Sequence, residues 1–235
     1  MMVSGISFIL LAYNEGENLK KIIPKIRHYA DTTDVEYEII VVDTAEPTDD
    51  SEIVCHECGA IYMNQSSPGF GGALMDGIQA ASMERIITID SDGAHDPSYI
   101  PTMVKEFNSR DVDVVIGSRY VRGGGTNDPW HNVMMSRLLN VTYSHVLHLS
   151  AKDLSTNFRM YRTSDIQGLK LDCVNYDILQ EILIKMRCRL ERDIQIYEFP
   201  IVLQKRISGQ SKRKLFTFIR SYIVTLMKLK AIENR

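Results

Sequence analysis

Along the first half of the chain, the spacing of apolar residues switches repeatedly between two periods. Residues 6–11, Ile-Ser-Phe-Ile-Leu-Leu, form a nearly unbroken apolar run that suits a strand buried on both faces. Residues 15–29 place apolar side chains three and four apart, the signature of an amphipathic helix. The same alternation continues with strands expected at 37–43, 60–64, 85–90 and 112–117, and helices at 49–58, 71–83 and 98–107. Strands alternating with helices predict an α/β fold: a mostly parallel central sheet with helices on both faces. Ligands of such sheets bind beyond the carboxyl ends of the strands, so chemistry is sought there.

From about residue 118 the pattern changes. Gly123-Gly124-Gly125 followed by Asn127-Asp128-Pro129 reads as a flexible loop. A long helix is expected over 131–149, a mixed segment to about residue 200, and a last amphipathic helix from about 212 to 230. The expected organisation is one domain over 1–211 with a basic amphipathic helix appended over 212–235. No internal repeat is visible. The N-terminus runs straight into a strand, so no signal peptide is expected, and no apolar stretch is long enough to predict a spanning helix.

Charge alters the reading of the tail. The net charge is −3, yet eight of the 27 cationic residues and none of the 30 acidic ones lie between Lys205 and Lys230. An acidic body with a basic tail argues against nucleic acid as a partner and turns the tail toward an anionic surface or a phosphate. Cys55 and Cys58 offer only half of a zinc site, and with no second pair following, the four cysteines read as free thiols in a reducing cytoplasm.

The expected strands end in polar residues: Tyr13-Asn14-Glu15, Asp43, Asp90-Ser91-Asp92, and Gly117-Ser118-Arg119-Tyr120. Asp90 and Asp92 are the sharpest pair. Two carboxylates one residue apart on an extended chain project to the same side and repel unless a cation intervenes. A hard divalent ion, completed by diphosphate oxygens, resolves the conflict. Short acidic pairs are also common in surface turns; what distinguishes this one is the apolar run Ile86-Ile87-Thr88-Ile89 before it. Gly69-Phe70-Gly71-Gly72 before a helix suits either a phosphate or close helix packing. Residues 206–212, with two flanking cations, small hydroxyls and a glycine, suit either a phosphate-wrapping loop or a solvated linker.

Taken in order, these elements resemble the family 2 glycosyltransferases, in particular the dolichol-phosphate mannosyltransferase-like branch. The matching stretches are Leu11-Ala12-Tyr13-Asn14-Glu15, Val41-Val42-Asp43, Gly69-Phe70-Gly71-Gly72-Ala73 with Gly77, Asp90-Ser91-Asp92 with His95 and Pro97, Gly117-Ser118-Arg119-Tyr120 with Gly123-Gly124, Asp153-Leu154-Ser155-Thr156-Asn157-Phe158-Arg159, and residues 206–212. The resemblance implies a GT-A fold and an inverting, metal-dependent hexosyltransferase. Such an enzyme would move mannose or glucose from a GDP-mannose or UDP-glucose type donor to a polyprenyl or dolichyl phosphate. It further implies that Tyr13, Glu15, Asp43, Gly71, Asp90 and Lys212 serve the donor, and that Asp90 and Asp92 hold Mg2+ or Mn2+. Asp92, Arg119, Asp153 and Arg206 would carry catalysis, with Ser155 and Arg159 on the acceptor side. The chain departs from the family at Thr44, where a second acidic residue is usual, at Ala94 (often Gln), at Asn157 (usually Gly) and in the turn Ala45-Glu46-Pro47.

An anionic acceptor phosphate needs no strong general base, which agrees with cations in place of a base on the acceptor side. The tail is expected to meet a membrane interface or a membrane-protein partner, with the protein cytoplasmic or peripheral on the cytoplasmic face; a helix docked on the domain is the alternative. The competing functions are the same fold acting on a polysaccharide, protein or small-molecule acceptor, with Asp153 as the candidate base, a sugar nucleotidyltransferase, and a non-catalytic sugar-nucleotide-binding protein.

Overall fold

The computed structural model describes residues 2–204 and 224–232. Its centre is a seven-stranded sheet in the order β3-β2-β1-β4-β7-β5-β8. Five of these strands match the expected runs: β1 (Val3–Leu11), β2 (Tyr37–Asp43), β3 (Ile61–Asn64), β4 (Met83–Thr88) and β5 (Val114–Ser118). β1, β2, β3 and β4 pair in parallel, as do β5 and β8 (Ile196–Pro200). The exception is β7 (Arg159–Arg162), which runs antiparallel between β4 and β5. Its amino end therefore lies at the carboxyl edge of its neighbours and brings residues 153–158 to that edge.

Helices cover both faces because the strands are apolar on both. On one side α1 (Gly16–Asp31) buries Leu19, Ile22, Ile23, Ile26 and Ala30 against the sheet, beside α2 (Ser51–Glu57) and α4 (Ile100–Ser109). Those five positions repeat at helical spacing, so one face of α1 is wholly apolar. The opposite core joins α3 (Gly69–Ala80) to α5 (Trp130–Val146) and α7 (Ile178–Leu190), with the short α6 (Thr163–Ile166) between. Gly77 allows α3 to lie close on the sheet, since a Cβ there would come within 2.6 Å of Ile9.

Two expectations about local structure change. The Gly123-Gly124-Gly125 stretch is not a free loop: β6 (Gly125–Thr126) pairs with β9 (Val202–Leu203). Gly124 is needed because a Cβ would meet the Ser118 carbonyl at 2.5 Å. Residues 224–232 of the expected terminal helix are helical and dock on the domain. Leu229 is buried in the α5–α7 core, the Thr225 hydroxyl donates to Asp177, and Lys230 Nζ reaches the Val146 carbonyl at 3.0 Å. Residues 212–223 of that helix lie outside the described residues. No helix among the described residues is long and apolar enough to cross a membrane. The four cysteines are free, and burial pushes the Cys55 thiol up to about 12.

Candidate active site

β2, β1 and β4 end at one level, and backbone bonds fix it. Ala12 N–H donates to the Val42 carbonyl at 2.8 Å, and Ile89 N–H to the Ile9 carbonyl at 3.1 Å. The Ser91 hydroxyl then ties the next loop to the Leu11 carbonyl at 2.6 Å. Tyr13, Asp43, Asp90 and Asp92 thus share an edge although far apart in sequence. Tyr13 presents an exposed ring and Asp43 is buried. Asp43 Oδ1 accepts from Thr44 N–H at 2.7 Å, and Oδ2 from the Tyr62 hydroxyl at 3.2 Å. Burial raises the Asp43 carboxyl above its ordinary value, against the opposing pull of those two donors. The Tyr62 phenol is pushed up to about 12, by burial first and by the Asp43 charge second.

The two loops flanking this edge are fastened together. Asp49 Oδ2 accepts from Gly16 N–H, the first residue of α1, at 2.9 Å, while Oδ1 accepts from Ser51 N–H at 3.1 Å. Burial alone would raise the Asp49 carboxyl, but these amides hold it below its usual value. Glu15 Oε2 accepts from Asn18 Nδ2 at 2.5 Å.

Asp90 is held from two sides. Its Oδ1 accepts from Asn157 Nδ2 at 3.1 Å, and its backbone N–H points at His95 Nδ1 at 3.3 Å. His95 is buried, stacked on Phe158 with ring centres 5.4 Å apart, and its Nε2 lies 3.2 Å from Thr156 Oγ1. The same Nδ1 lies 3.5 Å from Asp90 Oδ2, so His95 faces both the backbone and the carboxylate of Asp90. Asp92 Oδ1 closes a turn on Ala94 N–H at 2.9 Å. Among the described residues, no three His, Cys, Asp or Glu side chains converge as a metal cage. Two hard carboxylates in one turn nevertheless fit Mg2+ or Mn2+ arriving with diphosphate oxygens as its other ligands.

At the end of β5 lies an ion pair removed from water. Arg119 Nε and Nη2 donate to Asp153 Oδ2 and Oδ1, both at 2.7 Å, and the Arg119 backbone N–H adds a third bond at 3.0 Å. Asp153 is fully buried. Burial would raise its carboxyl, yet the Arg119 bonds and charge hold it below the usual range. Arg119 Nη2 also reaches Ser155 Oγ at 2.7 Å. From α5, Ser136 Oγ and Asn140 Nδ2 each lie 3.2 Å from the same Ser155 oxygen.

The model of glycosyl transferase family 2 matches residues 7–169, a span that runs from within β1 through β7 and contains this whole edge. The chain belongs to glycosyl transferase family 2. A dolichol-phosphate mannosyltransferase from Pyrococcus furiosus is 30% identical over 95% of the chain, and the chain spans 64% of that relative's length. A polyprenol monophosphomannose synthase from Mycolicibacterium smegmatis is 26% identical over 87% of this chain and 79% of its own. The fold matches glucosyl-3-phosphoglycerate synthase from Mycobacterium tuberculosis in complex with Mn2+, UDP and glucosyl-3-phosphoglycerate. That match has a TM-score of 0.71 and 22% identity, and covers 97% of this chain and 80% of that one.

Within this family 2 fold, two expected site residues sit elsewhere than foreseen. Gly71 does not offer its amide to a phosphate: the N–H bonds the Val174 carbonyl at 3.0 Å, and a Cβ would lie 2.1 Å from the Cys173 carbonyl. It serves close backbone packing. Arg159 does not line the acceptor wall either. It is fully buried and donates to the carbonyls of Thr156, Leu179 and Leu154 at 2.8, 2.9 and 2.6 Å. It shapes the 154–156 turn that carries Ser155. Arg206 and Lys212 lie outside the described residues; the last described residue before them, Gln204, is held by its N–H on the Ala94 carbonyl at 2.9 Å, beside Asp92. His95, Asp49, Ser136 and Asn140 carry supporting roles that the sequence pattern did not assign.

Proposed function

We propose that this chain is a metal-dependent, inverting hexosyltransferase that moves mannose or glucose from a nucleoside-diphosphate sugar to a polyprenyl phosphate. The observation that carries the reading is the Arg119–Asp153 pair. Asp153 spends its oxygens on Arg119, and its depressed carboxyl is a poor proton acceptor. A hydroxyl acceptor needs a base at this wall, whereas a phosphate acceptor is already anionic at neutral pH. Arg119, with Ser155 beside it, would orient that phosphate for in-line attack on the anomeric carbon. The names of the two curated relatives, both enzymes of lipid-phosphate mannose chemistry, support the same acceptor class.

On the donor side, Tyr13, Glu15 and Asp43 would hold the base and ribose, and Asp90 the ribose and diphosphate. Asp92, with Asp90, would hold Mg2+ or Mn2+, which when bound neutralises the leaving nucleoside diphosphate. Arg206 and Lys212 would add positive charge toward the phosphates. Asn157, where the family usually has glycine, would fix Asp90. Asn157→Ala should therefore raise the donor KM by up to about tenfold. Stability should move by under about 1 kcal/mol, because the substitution also removes the buried Asn157 Oδ1, which has no hydrogen-bond partner. Donor kinetics and a thermal melt of the variant check both.

The test is transfer from GDP-mannose and from UDP-glucose, with a short-chain polyprenyl phosphate competing against oligosaccharide acceptors. A product on phosphate with inverted anomeric configuration is expected. Transfer to hydroxyl acceptors alone would overturn the reading.

A further inference from the structure

Asn157 lies just before β7, buried, with its side chain beside Asp90. Its Nδ2 donates to Asp90 Oδ1 at 3.1 Å, which fixes the sense of the amide. Turned over, it would set a carbonyl oxygen against a carboxylate. The other end, Oδ1, is buried and has no hydrogen-bond partner. The hydroxyls beside it in chain and sheet are committed elsewhere. Thr88 Oγ1 donates to the backbone carbonyl of Asn157 itself. Thr156 Oγ1 pairs with His95 Nε2 and accepts from Phe158 N–H. A buried acceptor left unmet is costly, and an ion is one of the few species that can meet it.

We propose that Asn157 Oδ1 is a ligand of the divalent cation held by Asp90 and Asp92. The inference rests on the metal reading of that turn and adds a third protein oxygen from another part of the chain. Amide oxygens are ordinary ligands of hard cations, and two carboxylates with one neutral oxygen leave the other positions to phosphoryl oxygens and water. One cation then answers two separate needs: it offsets the repulsion between the carboxylates and it satisfies the orphaned acceptor. Both ends of the amide acquire a use, since Nδ2 orients one ligand and Oδ1 is another. Asn157 belongs to the turn that also carries Asp153 and Ser155, so the ion would join the donor edge after β4 to the acceptor wall.

Weaker metal binding alone would not separate a ligand from a residue that only orients Asp90, so the test changes the chemistry of the ligand. Asn157→Cys puts a soft sulfur in place of a hard oxygen. With GDP or UDP present and no sugar donor, its preference for Cd2+ over Mn2+ should rise about tenfold or more above that of the wild type. A thiolate-to-cadmium absorption band beyond that of the four native cysteines should appear with it. A second measurement needs no substitution in the protein observed: 13C in the asparagine side-chain carbonyls should show a hyperfine coupling to bound Mn2+ that Asn157→Ala lacks. An unchanged metal preference without a new band in a folded Asn157→Cys protein, or no such coupling, would overturn the inference. If Asp92→Asn still abolishes Mn2+ binding in that case, the metal reading of the turn stands without Asn157. A wild type that binds no Mn2+ with either nucleotide would sink both.

Discussion

Replacing Asp92 by asparagine should lower sugar transfer by about three orders of magnitude while leaving the protein folded. The choice of asparagine matters. Asp92 Oδ1 accepts from Ala94 N–H and closes the turn after β4, and an amide oxygen can keep that bond. What is lost is the negative charge proposed to hold the divalent ion against the leaving diphosphate. Removing one preorganised electrostatic contact from a reaction centre typically costs a hundredfold to a thousandfold, and a metal ligand belongs at the upper end. Transfer rates across a series of Mg2+ and Mn2+ concentrations, with a thermal melt as control, check the prediction. Full activity in a folded Asp92→Asn protein would remove the metal from the mechanism.

The second large effect is on stability. Asp153→Ala should destabilise the fold by about 3–5 kcal/mol, the usual consequence of stranding one member of a buried ion pair. Arg119 would keep its charge largely inside the protein with Ser155 Oγ as a remaining side-chain acceptor, while Asn140 would lose one acceptor. Urea unfolding measures the loss. pH provides an independent check. The Asp153 carboxyl lies below its unfolded value of about 3.9, so its stabilisation is present above that pH and drains away as pH falls through the lower folded value. The wild type should lose stability across that acid window, and the variant should lack this component. A general base would behave differently: its removal would change the pH–rate profile of a protein as stable as the parent.

Much of this was legible in the sequence, for identifiable reasons. β1, β2 and β4 are buried on both faces, so their apolar runs stand out, and the polar residues that follow them necessarily meet at one edge. β7 was not legible. Arg159-Met160-Tyr161-Arg162 has charged ends and lies in sequence far from β4 and β5, the two strands it joins. Missing it hid why residues 153–157 reach the cleft, even though their resemblance to the family had singled them out. Arg159 was set on the acceptor side by its match to the family segment, but its guanidinium is taken up by the carbonyls of Leu154 and Thr156 and, from α7, of Leu179. Gly71 was open to two readings, and the choice depended on the path of residues 173–174, which no local pattern reveals. The β6–β9 pairing is likewise non-local: two residues from each strand, brought together by β8.

The bond from Asp49 to Gly16 has a bearing on recognition. Because one carboxylate joins the two loops proposed to meet the donor, little of that wall would need to be ordered when a nucleotide enters. The entropy lost on association is correspondingly small, so more of the contact energy is kept as affinity.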